Sequence, residues 1–116
     1  MKEKKLELIF EQETAILKIF GEVNFENSNP IKEESKDLIT KNNVGDLIID
    51  LSSVPYLDSS GIGFVLSIFK FMRDKKDRLI LLNPNDKVKR VLEVTKIDNI
   101  IKIFYEKEKA IKELSQ

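Results

Sequence analysis

The stretch LIIDLSSVPYLDSSGIG, residues 47–63, decides the fold. Residues 46–51 are apolar on both faces, which is typical of a central parallel strand covered by helices. Pro55 follows, and then Asp58 and two serines open a helix, because their side-chain oxygens accept hydrogen bonds from first-turn N–H groups that have no intrahelical partner. The segment therefore predicts a strand, a short loop and a helix whose positive end carries two hydroxyls.

Apolar strands alternate with helices on both sides of this segment. We predict hairpin strands over 6–10 and 15–20, a helix within 27–43, a strand over 78–82, a helix after 83–86, a strand over 100–104 and a closing helix over 106–114. This order requires right-handed crossovers and a mostly parallel sheet. The predicted fold class is α/β, with a mixed, mostly parallel sheet of about four to five strands and about four helices packed on it.

Length and composition indicate one small domain over residues 1–116, because a chain of 116 residues with 41% apolar residues forms a single core. Cysteine and histidine are both absent. Their absence argues against thiolate nucleophiles, zinc sites of the usual kind and a serine hydrolase, which needs a base beside its nucleophile. We therefore expect neither catalysis nor a cofactor or metal.

The distribution of charge limits the kinds of partner. The N-terminal MKEKKLELIF mixes charges with apolar residues, and no stretch reaches membrane-spanning length, so we expect a cytoplasmic protein without membrane insertion. Residues 70–96 hold nine bases against four acids, with Phe71 as the only aromatic. Since aromatics do not alternate with these bases, we expect no direct nucleic-acid binding. The bases are either solvated helix ends or a surface that steers an acidic protein partner.

The succession of apolar strand, short loop, capped serine and glycine-bearing helix resembles the STAS domain of the bacterial anti-sigma factor antagonist family. The family motif of aspartate, phosphorylatable serine, a second small residue and glycine corresponds to Asp58, Ser59, Ser60 and Gly61. The resemblance extends over nearly the whole chain and implies that Ser59 is the phosphoacceptor. Asn24 departs from it, because the family usually has an aspartate there, near the phosphoacceptor, that contributes to recognition by the kinase.

The resemblance also implies a mechanism of partner switching. The unphosphorylated form is expected to bind an anti-sigma factor that is also a serine protein kinase, and so to free a sigma factor for transcription. Phosphorylation of Ser59 would block this binding, and a serine phosphatase would restore it. The sequence has no glycine-rich ATP loop of its own, so Ser59 is a substrate of the kinase. An alternative function is a non-phosphorylated STAS subunit of a lipid or anion transport complex.

The helix after the motif carries apolar residues on two stripes. One stripe, assigned to the sheet, comprises Ile62, Val65, Leu66, Phe69 and Met72. The second comprises Phe64, Ile68 and Phe71, and we predict that it is an exposed surface where the partner docks. The alternative is that the first helix covers it. The presence of Gly61 and Gly63 in this helix also has two possible explanations. Either a partner backbone approaches Ser59 closely, or packing within the domain is tight.

Overall fold

The computed structural model describes residues 4–116, which begin with a β-hairpin. Its strands are β1 (Leu6–Glu11) and β2 (Thr14–Ile19). Gln12 and Glu13 join them with φ of 50° and 67°. Two consecutive residues with positive φ form the type I′ turn whose twist matches that of the flanking strands. The predicted hairpin is confirmed.

Helices and parallel strands alternate after the hairpin. The elements are α1 (Ser28–Lys41), β3 (Leu47–Asp50), α2 (Ser59–Asp74), β4 (Leu79–Leu82), α3 (Asp86–Val94), a 3₁₀ turn (Ile97–Asn99), β5 (Lys102–Phe104) and α4 (Lys107–Leu114). The strands lie in the order β1-β2-β3-β4-β5, with β1 antiparallel to β2 and the other pairs parallel. The predicted α/β class is confirmed, with five strands and four α-helices in residues 4–116.

Side chains of the strands alternate between two covered faces, as the period of a β-strand requires. On one face, Leu47 and Ile49 of β3 join a large core cluster that includes apolar residues of α1, α2 and α3. On the other face, Ile48 joins Ile16, Ile80 and Leu82 beneath α4. None of the helices in residues 4–116 is long and apolar enough to cross a membrane.

The prediction that the second stripe of α2 is exposed is wrong. Phe64 is 2% exposed and Ile68 is fully buried, and both belong to the same core cluster as the buried residues of α1. Phe71 is half-buried, and the Nζ of Lys36 on α1 lies 5.5 Å from its ring centre. The physical reason is that α1 packs directly on α2, which is the alternative that the sequence left open.

The stripe assigned to the sheet also needs one correction. Ile62, Val65 and Met72 are buried as predicted, and Phe69 is half-buried against the core. Leu66, however, is 38% exposed. Because α2 packs both on the core cluster and against α1, the side of the helix left to solvent carries Ser59, Gly63 and Leu66, spaced at four and three residues.

Candidate functional site

Asp58 is the N-cap of α2 and fixes the start of the helix. One carboxylate oxygen of Asp58, Oδ1, accepts hydrogen bonds from the backbone N–H groups of Ser60 (2.8 Å) and Gly61 (3.1 Å). The predicted cap is therefore confirmed. Ser59 follows as the first helical residue and is exposed. Its hydroxyl is thus presented to solvent at the positive end of a helix of 16 residues, where a negative group is stabilised.

The loop before Ser59 is held by backbone contacts to the segment after β2. Val23 forms an isolated parallel bridge with Leu57. The N–H of Asp58 donates to the carbonyl of Val23 (3.3 Å), and the N–H of Gly21 donates to the carbonyl of Ser53 (3.0 Å). Both Val23 and Leu57 are fully buried. The position of Ser59 therefore depends on buried backbone pairing rather than on the loop alone.

A third segment, at the start of α3, also contacts this loop. The side-chain amide of Asn85 donates to the carbonyl of Pro55 (3.1 Å), while its Oδ1 accepts from the N–H of Val88 (2.8 Å) and caps α3. Asn85 thus ties the N-terminus of α3 to the loop of Ser59. Lys87, Lys89 and Arg90 on α3 are all exposed, so the α3 part of the basic segment 70–96 follows directly after this tie to the loop.

Gly61 is required by close packing inside the domain. A Cβ at this position would lie 2.5 Å from the Cβ of Leu57 and 2.9 Å from the carbonyl oxygen of Val23. Both distances are shorter than any tolerable contact, and the carbonyl is fixed by the hydrogen bond to Asp58. Of the two explanations offered for the glycines, tight internal packing therefore applies to Gly61.

Gly63 has the opposite environment. A Cβ built there would have no heavy atom of residues 4–116 within 4 Å, apart from its chain neighbours and its own helix backbone. Gly63 is also exposed and lies one turn after Ser59 on the same side of α2. Internal packing therefore does not explain this glycine.

Asn24 lies beside the site and organises the start of α1. Its Oδ1 accepts hydrogen bonds from the N–H groups of Glu26 (2.9 Å) and Asn27 (3.1 Å), and its backbone N–H donates to Oδ1 of Asn27 (2.8 Å). An aspartate could accept the same two bonds, because its carboxylate has the same shape. Asn24 therefore forms the same turn that an aspartate would form and differs from it only in lacking the negative charge.

Two exposed aromatic residues near Ser59 were missed in the sequence. Phe25 is 83% exposed and Tyr56 is 43% exposed. Phe25 lines a groove of about 290 Å³ between α1 and α2, together with Ser60, Gly63 and Lys32. The sequence offered no clear signal for them, since both stand in predicted loops, outside the periodic apolar runs.

Comparison with known proteins agrees with this geometry. The sequence matches the STAS domain family over residues 5–110. The chain belongs to this family. The predicted membership is thereby confirmed, and the motif around Ser59 lies within the matched part of the STAS domain.

Individual STAS proteins resemble this one over most of their length. The anti-sigma-B factor antagonist of Listeria monocytogenes is 33% identical over 97 residues, which are 82% of this chain and 84% of the relative. The crystal structure of TM1081 from Thermotoga maritima has a TM-score of 0.89 at 28% identity and covers 96% of this chain and 95% of that chain. The anti-sigma factor antagonist SpoIIAA in its unphosphorylated form has a TM-score of 0.78 at 25% identity, with 95% and 96% covered. SpoIIAA of Bacillus is also known in its phosphorylated form, with a TM-score of 0.69 at 25% identity over 93% of this chain and 97% of that chain.

Proposed function

We propose that this STAS domain is an anti-sigma factor antagonist that is switched by phosphorylation of Ser59. The observation that carries the proposal is the exposed Ser59 hydroxyl at the first position of α2, next to a carboxylate that caps the helix. Names of relatives support the general function, since they include anti-sigma factor antagonists from several bacteria. SpoIIAA, with its unphosphorylated and phosphorylated forms, supports the switch.

Ser59 acts as a substrate in this proposal, because the domain lacks the means to activate it. A nucleophilic serine needs a base within hydrogen-bond reach, and the sequence has no histidine. The Oδ1 of Asp58 is already engaged by two backbone N–H groups. The kinase must therefore bring both the nucleotide and the base, and we infer that the kinase is the anti-sigma factor itself.

The partner surface that we propose differs from the stripe predicted in the sequence. Phe64 and Ile68 are too deeply buried to meet a partner without local unfolding. The exposed side of α2 supplies Ser59, Gly63 and Leu66 instead. Phe25 lines the adjacent groove with Gly63, and Tyr56 lies in the loop before Ser59. Exposed aromatics are typical anchors of protein interfaces, and a glycine without steric neighbours lets a partner backbone come close to Ser59. The exposed bases of α3 would steer an acidic partner toward this surface.

Phosphorylation acts on binding more than on folding. The phosphate adds about −1.5 to −2 charge at neutral pH. At the start of α2 the helix dipole stabilises this charge by about 0.3–2 kcal/mol. Burying the same charge in an interface, beside the carboxylate of Asp58, costs several kcal/mol. The second effect is larger, so phosphorylation releases the anti-sigma factor while the domain stays folded, and a serine phosphatase restores the binding form.

The site assignment is tested by intact-mass spectrometry after incubation with a cognate anti-sigma factor kinase and ATP. We expect the wild-type protein and Ser60→Ala to gain one phosphate each, and Ser59→Ala to gain none. Ser60→Ala is the matched control, since it removes the neighbouring hydroxyl of the same helix turn. Phosphorylation that persists in Ser59→Ala would contradict the assignment, as would phosphorylation of the wild type by ATP alone.

A further inference from the structure

We propose that β1 pairs with β1 of a second copy of this chain, so that two sheets join edge to edge around a two-fold axis. β1 is an edge strand of six residues in the sheet of residues 4–116. Near its end, Ile9 is 37% exposed and Phe10 is 51% exposed. An edge strand with exposed apolar side chains is a template for pairing with another strand.

The backbone of β1 determines which groups are available for pairing. The N–H of Phe20 donates to the carbonyl of Lys5 (2.9 Å), in the same register that pairs Leu6 with Ile19. Residues of an antiparallel pair alternate between bonding the neighbouring strand and facing away from it. The odd-numbered residues of β1 therefore bond β2, and the N–H and C=O groups of Leu6, Leu8 and Phe10 point outward.

These outward groups select one register. In an antiparallel pair with Leu8 opposite Leu8 of the second copy, Leu6 lies opposite Phe10 at both ends. Every outward N–H and C=O of the three residues then has a partner. A shift by two residues leaves some of them unpaired, and a shift by one places outward groups against groups already bonded to β2.

Charges along β1 favour the same arrangement. Lys4 and Lys5 precede the strand, whereas Glu11 ends it and Glu13 follows it. The register centred on Leu8 places Lys5 of each copy opposite Glu11 of the other, and a parallel arrangement would place like charges together. Glu11 also binds Lys107 Nζ (2.9 Å) within its own chain, but its side chain remains 38% exposed, which leaves room for a second cation. Glu7, on the same face, is paired with Lys4 (3.2 Å).

The proposal is tested by sedimentation velocity of the full chain at low salt. We expect a concentration-dependent equilibrium between monomer and dimer in the wild type. Lys5→Glu and Glu11→Lys should each weaken the dimer by about tenfold, because each places two like-charged pairs across the axis. An equimolar mixture of the two variants should dimerise again, since a mixed dimer has an opposite-charge pair at both ends. Thermal midpoints near that of the wild type would show that the variants are folded.

Three results would overturn the proposal. The first is a wild-type chain that stays monomeric up to about 1 mM, where even a dimer held by ~4 kcal/mol would form. In that case the edge is solvated or serves a strand of another protein. The second is dimerisation of either variant with wild-type affinity. The third is a mixture that associates no better than the separate variants.

Discussion

Gly61 and Gly63 lie in the same turn of α2, but the space around their Cα atoms differs. Gly61 lies against Leu57 and Val23, whose buried bridge positions the loop before Ser59. Gly63 faces open space on the exposed side of the helix. Glycine within a helix costs about 0.5–1 kcal/mol relative to alanine. At Gly61 this cost is offset by a fit that only glycine allows, whereas at Gly63 nothing within the described chain offsets it.

Alanine substitution at the two glycines should therefore have opposite effects on stability. We expect Gly63→Ala to raise the free energy of unfolding by about 0.5–1 kcal/mol and to weaken binding of the anti-sigma factor. Gly61→Ala, the matched control, should lower the free energy of unfolding because its methyl group overlaps Leu57 and Val23. Urea denaturation and a binding titration measure both quantities. A Gly63→Ala protein that binds as well as the wild type would show that the partner does not approach this position.

The helix α2 combines a core role with a surface role. Its buried residues contribute to the cluster shared with the sheet and α1, while Ser59, Gly63 and Leu66 remain on the exposed side. The helix therefore presents Ser59 from a rigid base, because the side chains that anchor it are packed in the core cluster and against α1. A rigid base suits the proposed switch, in which Ser59 offers its hydroxyl to a kinase and its phosphate to a phosphatase.

Substitutions along α2 should separate these two roles. Phe64→Ala should lower the free energy of unfolding by about 3–5 kcal/mol and Ile68→Ala by about 2–5 kcal/mol, because both leave cavities between α2 and α1. Leu66→Ser should change it by no more than about 0.5 kcal/mol while weakening partner binding. Chemical denaturation followed by circular dichroism makes the comparison. Near-wild-type stability of both Phe64→Ala and Ile68→Ala would mean that α1 does not cover α2 in solution.

Much of this arrangement could be predicted from local sequence. Three features depend only on residues close together in the sequence, so propensity and spacing predict them. They are the strand within 46–51, the helix cap at Asp58 and the polar turn between the first two strands. Coverage of Phe64 and Ile68 could not be predicted in this way. It depends on α1, which is largely polar and buries Ile31, Ile39 and even Ser35.

The position of Leu66 shows the same limit. Leu66 follows Ile62 by four residues, so helical spacing alone places it with the residues that face the sheet. Which side of α2 remains in solvent is decided by where α1 packs, a long-range contact that the sequence pattern does not contain. Phe25 and Tyr56 were missed for a related reason, since aromatic residues in loops carry no periodic signal.

Across the whole molecule, the site lies where loops after three neighbouring parallel strands meet. The segments after β2, β3 and β4 are joined by the hydrogen bonds of Gly21 to Ser53, Asp58 to Val23 and Asn85 to Pro55. Ligand and partner sites of open α/β sheets commonly lie at the carboxyl ends of their parallel strands. The fold thus places Ser59 at a rigid, exposed edge, with the exposed bases of α3 beginning next to it.

The central claim is that one phosphate on Ser59 controls partner binding without unfolding the domain. The most direct measurement is isothermal titration calorimetry of a cognate anti-sigma factor with the unphosphorylated and the Ser59-phosphorylated protein, each checked by its thermal midpoint. We predict that phosphorylation weakens binding by about 100-fold or more, as a cost of several kcal/mol requires. The midpoint should stay within a few degrees, because the helix terminus accommodates the charge. Equal affinity of the two forms, or loss of the folded state on phosphorylation, would contradict the account.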